Sequence, residues 1–438
     1  MSNIPSKNSD NQIILRPFSL QFFVLQNIPD SFRTFLFLHE SMLKNLPSNA
    51  LQLYLIKIAK WFNLVMPIVV LFYQENGLSM SQIFMLKSIY SIAMVVAELP
   101  SGYLADVWGC RRTILMGAIM GTIGIMIYSL SSGFGSFVVA EIILGIGFSF
   151  VSGADSAMLY DSLKAENRED EYIKYEGRIT SGGNFAEAFA GIAGGLLATF
   201  SLRTPYYFQV FVAATAIPAA FYLVEPKHIL ERTRLTMKNI IGIVKLTYLQ
   251  PEMRSAILIS SLTGAATLTY TWFVQPYFQK AGVPVSVFGI LWTMLNLSAG
   301  VFSMYSYRIE RLLGKKSTLL LIVVFISLGF ILTSLQISLA GIAILFGFYM
   351  VRGIATPVLK DYINQYTDSK VRATILSVRN LEIRIIFAAA GPVLGYLTDT
   401  FSMQTALMVA GIAYFVAAIW SIWPMMEPPP NLPRRGRL

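Results

Sequence analysis

The chain is 55% hydrophobic and only 13% charged, so the charges that fall inside its long apolar runs carry most of its chemical information. Each costs about 2.5–3.5 kcal/mol at the middle of a bilayer and needs a reason to be there. Lys57, Lys87 and Glu98 lie near run ends, where a long side chain reaches the interface. Lys60, Asp155, Glu187, Arg352 and Glu382 lie deeper. Glu141, Phe148 and Asp155 are heptad-spaced and predict one helical face, as do Lys60 and Asn63. Arg379 and Glu382 are spaced to neutralise each other on their own helix. A carboxylate in such surroundings can take up and release a proton as its neighbours change, which makes Glu141, Asp155 and Glu187 rival proton carriers.

Other chemistries find little support. His39 and His228 fall outside the apolar runs, and Cys110 is the single cysteine, so neither a metal cluster nor an intramembrane catalytic histidine is expected. Ser152 and Ser156 near Asp155 have no base beside them, and we expect no enzyme. No Gly-x-x-x-x-Gly-Lys-Ser/Thr loop is present, so no ATP drive and no cofactor are expected; an ion gradient, of protons, would supply the energy.

These residues need elements to hold them. Apolar runs of around twenty residues recur from Leu51 to Pro424, each long enough to cross a membrane as a helix. Ten-residue alternating strands are not seen, which argues against a barrel. The reading is an all-α membrane protein of about twelve transmembrane helices. Leu51–Tyr73, Phe134–Leu163 and Pro205–Val224 are read as unbroken first, fourth and sixth spans. Residues 51–224 form one six-helix bundle and 253–424 a second. A linker, 225–252, carries an amphipathic stretch at Leu235–Tyr248, and 425–438 is a tail. Residues 1–50 are an extension: disordered at Ser2–Asn11 with an interfacial helix near Phe22–Phe37, unless translation begins at Met42. Tyr270, Trp272, Gln275 and Tyr277, late in the seventh span, line an entrance or sit in an interfacial aromatic belt, the belt being the reading preferred.

Basic residues alternate from loop to loop. With both termini inside, Arg111, Arg112, Lys164, Arg168, Arg308, Arg311, Lys315 and Lys316 are among those in inward loops, whereas Arg203 and Lys280 fall outside. That is the positive-inside pattern, and it accounts for the net charge of +10 without a nucleic-acid partner. A multi-pass plasma-membrane protein is implied, in the inner membrane if the source is a bacterium, with the bilayer and a small-molecule substrate as partners.

The turn Gly102–Arg112 holds an acid, two glycines and two arginines between two apolar runs. Gly102, Leu104, Ala105, Asp106, Gly109, Arg111 and Arg112 fit Gly-x-Leu-Ala-Asp-Arg-x-Gly-Arg-Arg, with Val107 and Cys110 departing. This resembles the loop between the second and third helices of the major facilitator superfamily. The halves also repeat. Gly153, Leu159 and Asp161 recur as Gly353, Leu359 and Asp361, and Gly191-x-x-x-Gly195 recurs as Gly391-x-x-x-Gly395, all at one offset. The stretch Arg308–Lys316 is a degenerate echo of the motif turn.

The resemblance implies two pseudo-symmetric six-helix bundles in a monomer that transports by alternating access. It implies that Gly102, Asp106, Gly109, Arg111, Arg112 and Asp161 form a cytoplasmic latch between halves, with a topology anchor as the plainer alternative. It implies that Gly191, Gly195, Gly391 and Gly395 pack at the moving seam, close packing being favoured in either case. Spans one, four, seven and ten would line a central cavity, which places Lys60, Asn63, Glu141, Asp155 and Arg352 near substrate, with Glu187 beside them as a candidate. Drug exporters of the family carry Arg-x-x-x-Gly in the fourth span, whereas Glu141 and Gly145 here put an acid in the base's place. The function expected is proton-coupled export of a drug-like molecule or metabolite. The alternative is an anionic solute, a carboxylate siderophore or an organic acid, moved in either direction.

Overall fold

A computed structural model describes residues 49–226, 248–367 and 371–426, with positions 242 and 245 between. The expected extension as far as position 48, most of the amphipathic linker stretch and nearly all of the tail lie outside the described residues. The described residues are helical, without strands.

In chain order the helices are α1 Ala50–Trp61, α2 Val69–Glu75, α3 Met80–Trp108, α4 Cys110–Leu130, α5 Phe134–Val151, α6 Ala154–Ala165, α7 Tyr172–Leu197, α8 Thr204–Ala214, α9 Ala216–Phe221, α10 Pro251–Lys280, α11 Val285–Leu313, α12 Lys315–Leu335, α13 Ile342–Tyr366, α14 Arg372–Thr400 and α15 Met403–Met426. Among the described residues, nine candidate spans are long and apolar enough to cross a membrane. Large apolar side chains such as Phe185, Phe200, Phe211, Met304 and Trp420 point outward, as lipid-facing surface requires.

The packing repeats. In the first half α1 lies on α7, α3 on α5, and α4 on both α5 and α8. In the second, α10 lies on α14, α11 on α13, and α12 on both α13 and α15. The halves meet where α3 packs on α14, α7 on α11, and α2 on α10. This is the pseudo-symmetric pair of bundles that the repeated glycines implied.

Three spans read as unbroken are interrupted; the sixth is split into α8 and α9 at Thr215, three residues before Pro218. Between α1 and α2 the backbone leaves helix geometry from Phe62 to Ile68, around Pro67. Proline removes one helix hydrogen bond and crowds the preceding turn. Between α5 and α6 the chain breaks at Ser152–Gly153, where Gly153 has φ +87°. Its repeat partner, Gly353, is instead inside α13, its missing Cβ leaving room for the backbone of Ala299. The expected Glu141–Phe148–Asp155 face therefore stops at the break.

Candidate functional site

A cavity of about 380 Å³ lies beside the Pro67 break, walled by the first half and by Trp272 of the second. Glu141 of α5 forms part of its wall and is 1% exposed. Its Oε1 accepts hydrogen bonds from Tyr128 Oη at 2.7 Å and Tyr73 Oη at 3.0 Å, and it pairs with the Lys87 ammonium. Lys87 Nζ also donates to Tyr73 Oη at 2.8 Å. A buried carboxylate needs such partners, because a lone charge out of water is held at large cost. The ammonium stands 4.9 Å from the ring centroid of Trp272, on α10 of the other half. Lys87 is thus shared between a carboxylate of its own half and an aromatic face of the opposite one.

Lys60, Asn63, Tyr90, Phe148 and Tyr206 also line this cavity. Lys60 Nζ sits 3.7 Å over the Phe148 ring centroid. Two polar groups on the wall, Tyr206 Oη and Trp272 Nε1, are buried with no protein partner. Orphaned polar atoms of this kind are rare in native interiors and suit a site that holds a polar ligand or water.

A second cavity of about 560 Å³ lies between the halves. Glu98, Ser149 and Ser152 from the first half face Thr267, Arg352, Ser377, Asn380 and Arg384 from the second. Phe148 borders both cavities.

The candidate substrate residues are therefore divided. Lys60, Asn63 and Glu141 come together at the first cavity, and Arg352 stands at the second, over the Tyr349 ring. Asp155, in the first turn of α6, lines neither: it lies 3.9 Å from Lys57 and accepts from the Ser156 backbone N–H. Glu187 is half-buried on α7, within electrostatic reach of Arg352. Arg379 and Glu382 do not pair. Arg379 donates to Ser260 Oγ at 2.5 Å and to Asn380 Oδ1 at 3.0 Å, while Glu382 takes the Tyr248 hydroxyl.

The end of the molecule opposite the Gly102–Arg112 turn is where the halves clasp. Gln275 of α10 uses both ends of its amide: Oε1 accepts from Val70 N at 2.7 Å and Nε2 donates to Met66 O at 2.7 Å. One side chain so satisfies two backbone groups that the Pro67 break frees. Asp399 of α14 caps α3, accepting from Met80 N at 2.9 Å and Ser81 N at 2.7 Å. Gly191 and Gly195 lie against Gly289 of α11, Gly395 against Ser81, and Gly391 against Phe84. The small residues let backbones approach without side chains between them.

At the motif turn, Gly109 has φ +92° and Gly314, in the echo turn, φ +77°. Both are conformations open to glycine and strained for other residues. Glu225 caps α4, accepting from Cys110 N at 2.9 Å and Arg111 N at 2.8 Å, and Arg111 Nη2 donates to Phe221 O at 2.7 Å. The turn is thereby tied to the end of its own half. Gly102 and Arg112 are exposed there, while Asp106, in the last turns of α3, and Asp161, on α6, are half-buried.

Tyr73 and Glu225 escape a reading of the sequence alone, and the partners of Lys87, Trp272 and Gln275 are not apparent from it. Lys87 reads as interfacial because it lies early in its span; the need of Glu141 for a counter-ion is the available signal. Tyr270, Trp272 and Tyr277 are buried in the core, which overturns the expected belt. Gln275, an amide within an apolar run, marks that inward face.

A profile of the Major Facilitator Superfamily matches residues 55–381. Multidrug resistance protein 2 of Bacillus subtilis (strain 168) is 24% identical over 174 residues, covering 40% of this chain and 42% of that protein. The chain thus matches less than half the length of that relative. The uncharacterized MFS-type transporter YxaM of the same organism is 19% identical over 363 residues, 81% of this chain and 90% of that protein. Among solved structures, the nucleoside transporter NupG superposes with a TM-score of 0.73 at 15% identity, covering 87% of this chain and 100% of that one. At this identity the likeness is one of fold. The profile spans well over half of the chain, and the repeated bundles and motif turn agree with it: the chain belongs to the major facilitator superfamily.

Proposed function

We propose that the chain is a secondary active transporter that exports a small organic compound by alternating access, driven by protons. The observation that carries this reading is the Glu141–Lys87 pair on the wall of a cavity with two orphaned polar groups. Glu141 is the proton carrier. When it is ionised, Lys87 is neutralised and rests at Trp272 of the other half. When it takes a proton, Lys87 loses its counter-ion and its buried charge must find another partner, which means moving relative to Trp272. Protonation and the relative position of the halves are linked through one ammonium group. The multidrug relative supports export. The positive-inside pattern supports a motif turn on the cytoplasmic side of the plasma membrane. The clasped end then faces outward, and the protein is open, or opens first, toward the cytoplasm. Asp106, Arg111, Arg112 and Asp161 close that side in the opposite state. One chain contains both halves, so a monomer suffices.

The test is flux in proteoliposomes under an imposed pH gradient. Glu141→Gln is expected to abolish gradient-driven flux while leaving exchange of substrate for substrate. Gradient-driven flux at the wild-type rate in this variant rules Glu141 out as the carrier.

A further inference from the structure

Three cations around the two cavities have no carboxylate in contact. Among the described residues, no carboxylate oxygen lies within 4.0 Å of Lys60, Arg352 or Arg384, whereas Lys57 and Lys87 each have one. The second cavity is lined by two guanidinium groups, from α13 and α14, against a single carboxylate, Glu98. Four hydroxyls, Ser149, Ser152, Thr267 and Ser377, and the amide of Asn380 complete its polar wall. A carboxylate stands farther off in each case, Asp155 from Lys60, Glu187 from Arg352 and Glu98 from Arg384. Charge without a contacting counter-charge is still costly in a spanning segment, and a ligand of opposite sign would supply the contact. Across Phe148 the first cavity offers Lys60, in contact with the face of the ring, beside the Glu141–Lys87 pair and otherwise mainly apolar and aromatic walls.

We propose that the two cavities take a small organic anion, its carboxylate or phosphate head held between Arg352 and Arg384 and passed across Phe148 to Lys60. The planar guanidinium fork matches both heads with paired hydrogen bonds. The apolar body packs on Phe148 and Trp272. A cation-π contact is weaker than a charge-assisted hydrogen bond, so an arriving anion draws Lys60 off Phe148 and frees the ring that divides the cavities. This assignment names the substrate class for the transporter reading above and rests on it.

The experiment is equilibrium binding to the purified full chain in detergent at fixed pH, with no gradient. The probes are benzoate, phenyl phosphate, neutral benzamide and benzylammonium, each read by the shift in melting temperature against concentration. Benzoate or phenyl phosphate is expected to bind, the preferred one identifying the head, and benzamide and benzylammonium at least tenfold more weakly. Arg352→Gln and Arg384→Gln are expected to weaken the anion at least tenfold. Arg352→Lys and Arg384→Lys keep the charge without the fork and serve where a Gln variant does not fold; a loss of at least threefold is expected. Binding of benzamide or benzylammonium as tight as the anions, no binding of either anion, or wild-type affinity in both Lys variants overturns the inference. The two readings part cleanly. Gradient-driven flux of some substrate without anion binding sinks this one alone, and anion binding with flux indifferent to the gradient sinks the proton reading alone.

Discussion

Lys87 is the residue on which the most depends, because it answers to Glu141 and Trp272 at once. Removing one partner of a buried ion pair leaves the other uncompensated and costs about 3–5 kcal/mol, whereas replacing both by apolar groups is often near neutral. Lys87→Met is therefore expected to destabilise the protein by about 3 kcal/mol, and the double variant Lys87→Met/Glu141→Leu by clearly less. Unfolding in mixed micelles measures both; additive losses would show that the pair is not coupled. Glu141 was legible in the sequence because an acid inside an apolar run has no cheap explanation. Lys87 was not, because near a span's end a lysine can reach water without a partner. Tyr73 and Tyr128 carry no signal in a single sequence: a buried tyrosine and a lipid-facing one look alike until the hydroxyl's neighbour is known.

At the scale of elements, the broken first span is where the halves are clasped. Pro67 frees backbone groups, and Gln275 answers two of them from the other half. In lipid those groups have no water to turn to. Gln275→Leu removes both bonds at about 1 kcal/mol each and is expected to favour the state in which this end is open. Maleimide labelling of a cysteine at Ser81, in a Cys110→Ser background, is expected to speed up; an unchanged rate would show that the clasp does not bias the equilibrium. Gly289 gives the converse case. A Cβ there runs into the Gly191 carbonyl across the seam. Gly289→Leu is expected to hold the same end open, raising labelling at Ser81 and suppressing transport; slow labelling with normal transport argues against a moving seam. The glycine repeat was readable because its offset is constant. The breaks were not: Pro67 and Gly153 are both tolerated inside membrane helices, and only partners such as Gln275 and Gln209, which accepts from Leu64 N at 2.8 Å, let the chain unwind.

The whole molecule combines two bundles with matching internal neighbours but different equipment. The first holds the carboxylate, its lysine and most of the wall of the first cavity, while the second brings the arginines, Trp272 and the clasping glutamine. The duplication was legible down to the order of helices because it needs only spacing. The division of labour was not, because it lies in the residues that break the repeat. Such an arrangement has a mechanical consequence. If the seams of α3 with α14 and α7 with α11 act as one hinge, the clasped end cannot open without the motif end closing. Spin labels at Glu75 and Phe401 report the first, and labels at Lys164 and Lys360 the second, all four sites being exposed. Without substrate, the first pair is expected to give the shorter of its accessible distances. Acidification, or Glu141→Gln as its mimic, should redistribute both pairs in opposite senses, one lengthening as the other shortens. Distances that move together, or at one end only, would mean that the halves deform locally instead of rocking, and the link from Glu141 through Lys87 to Trp272 would then act on a gate rather than on the whole bundle.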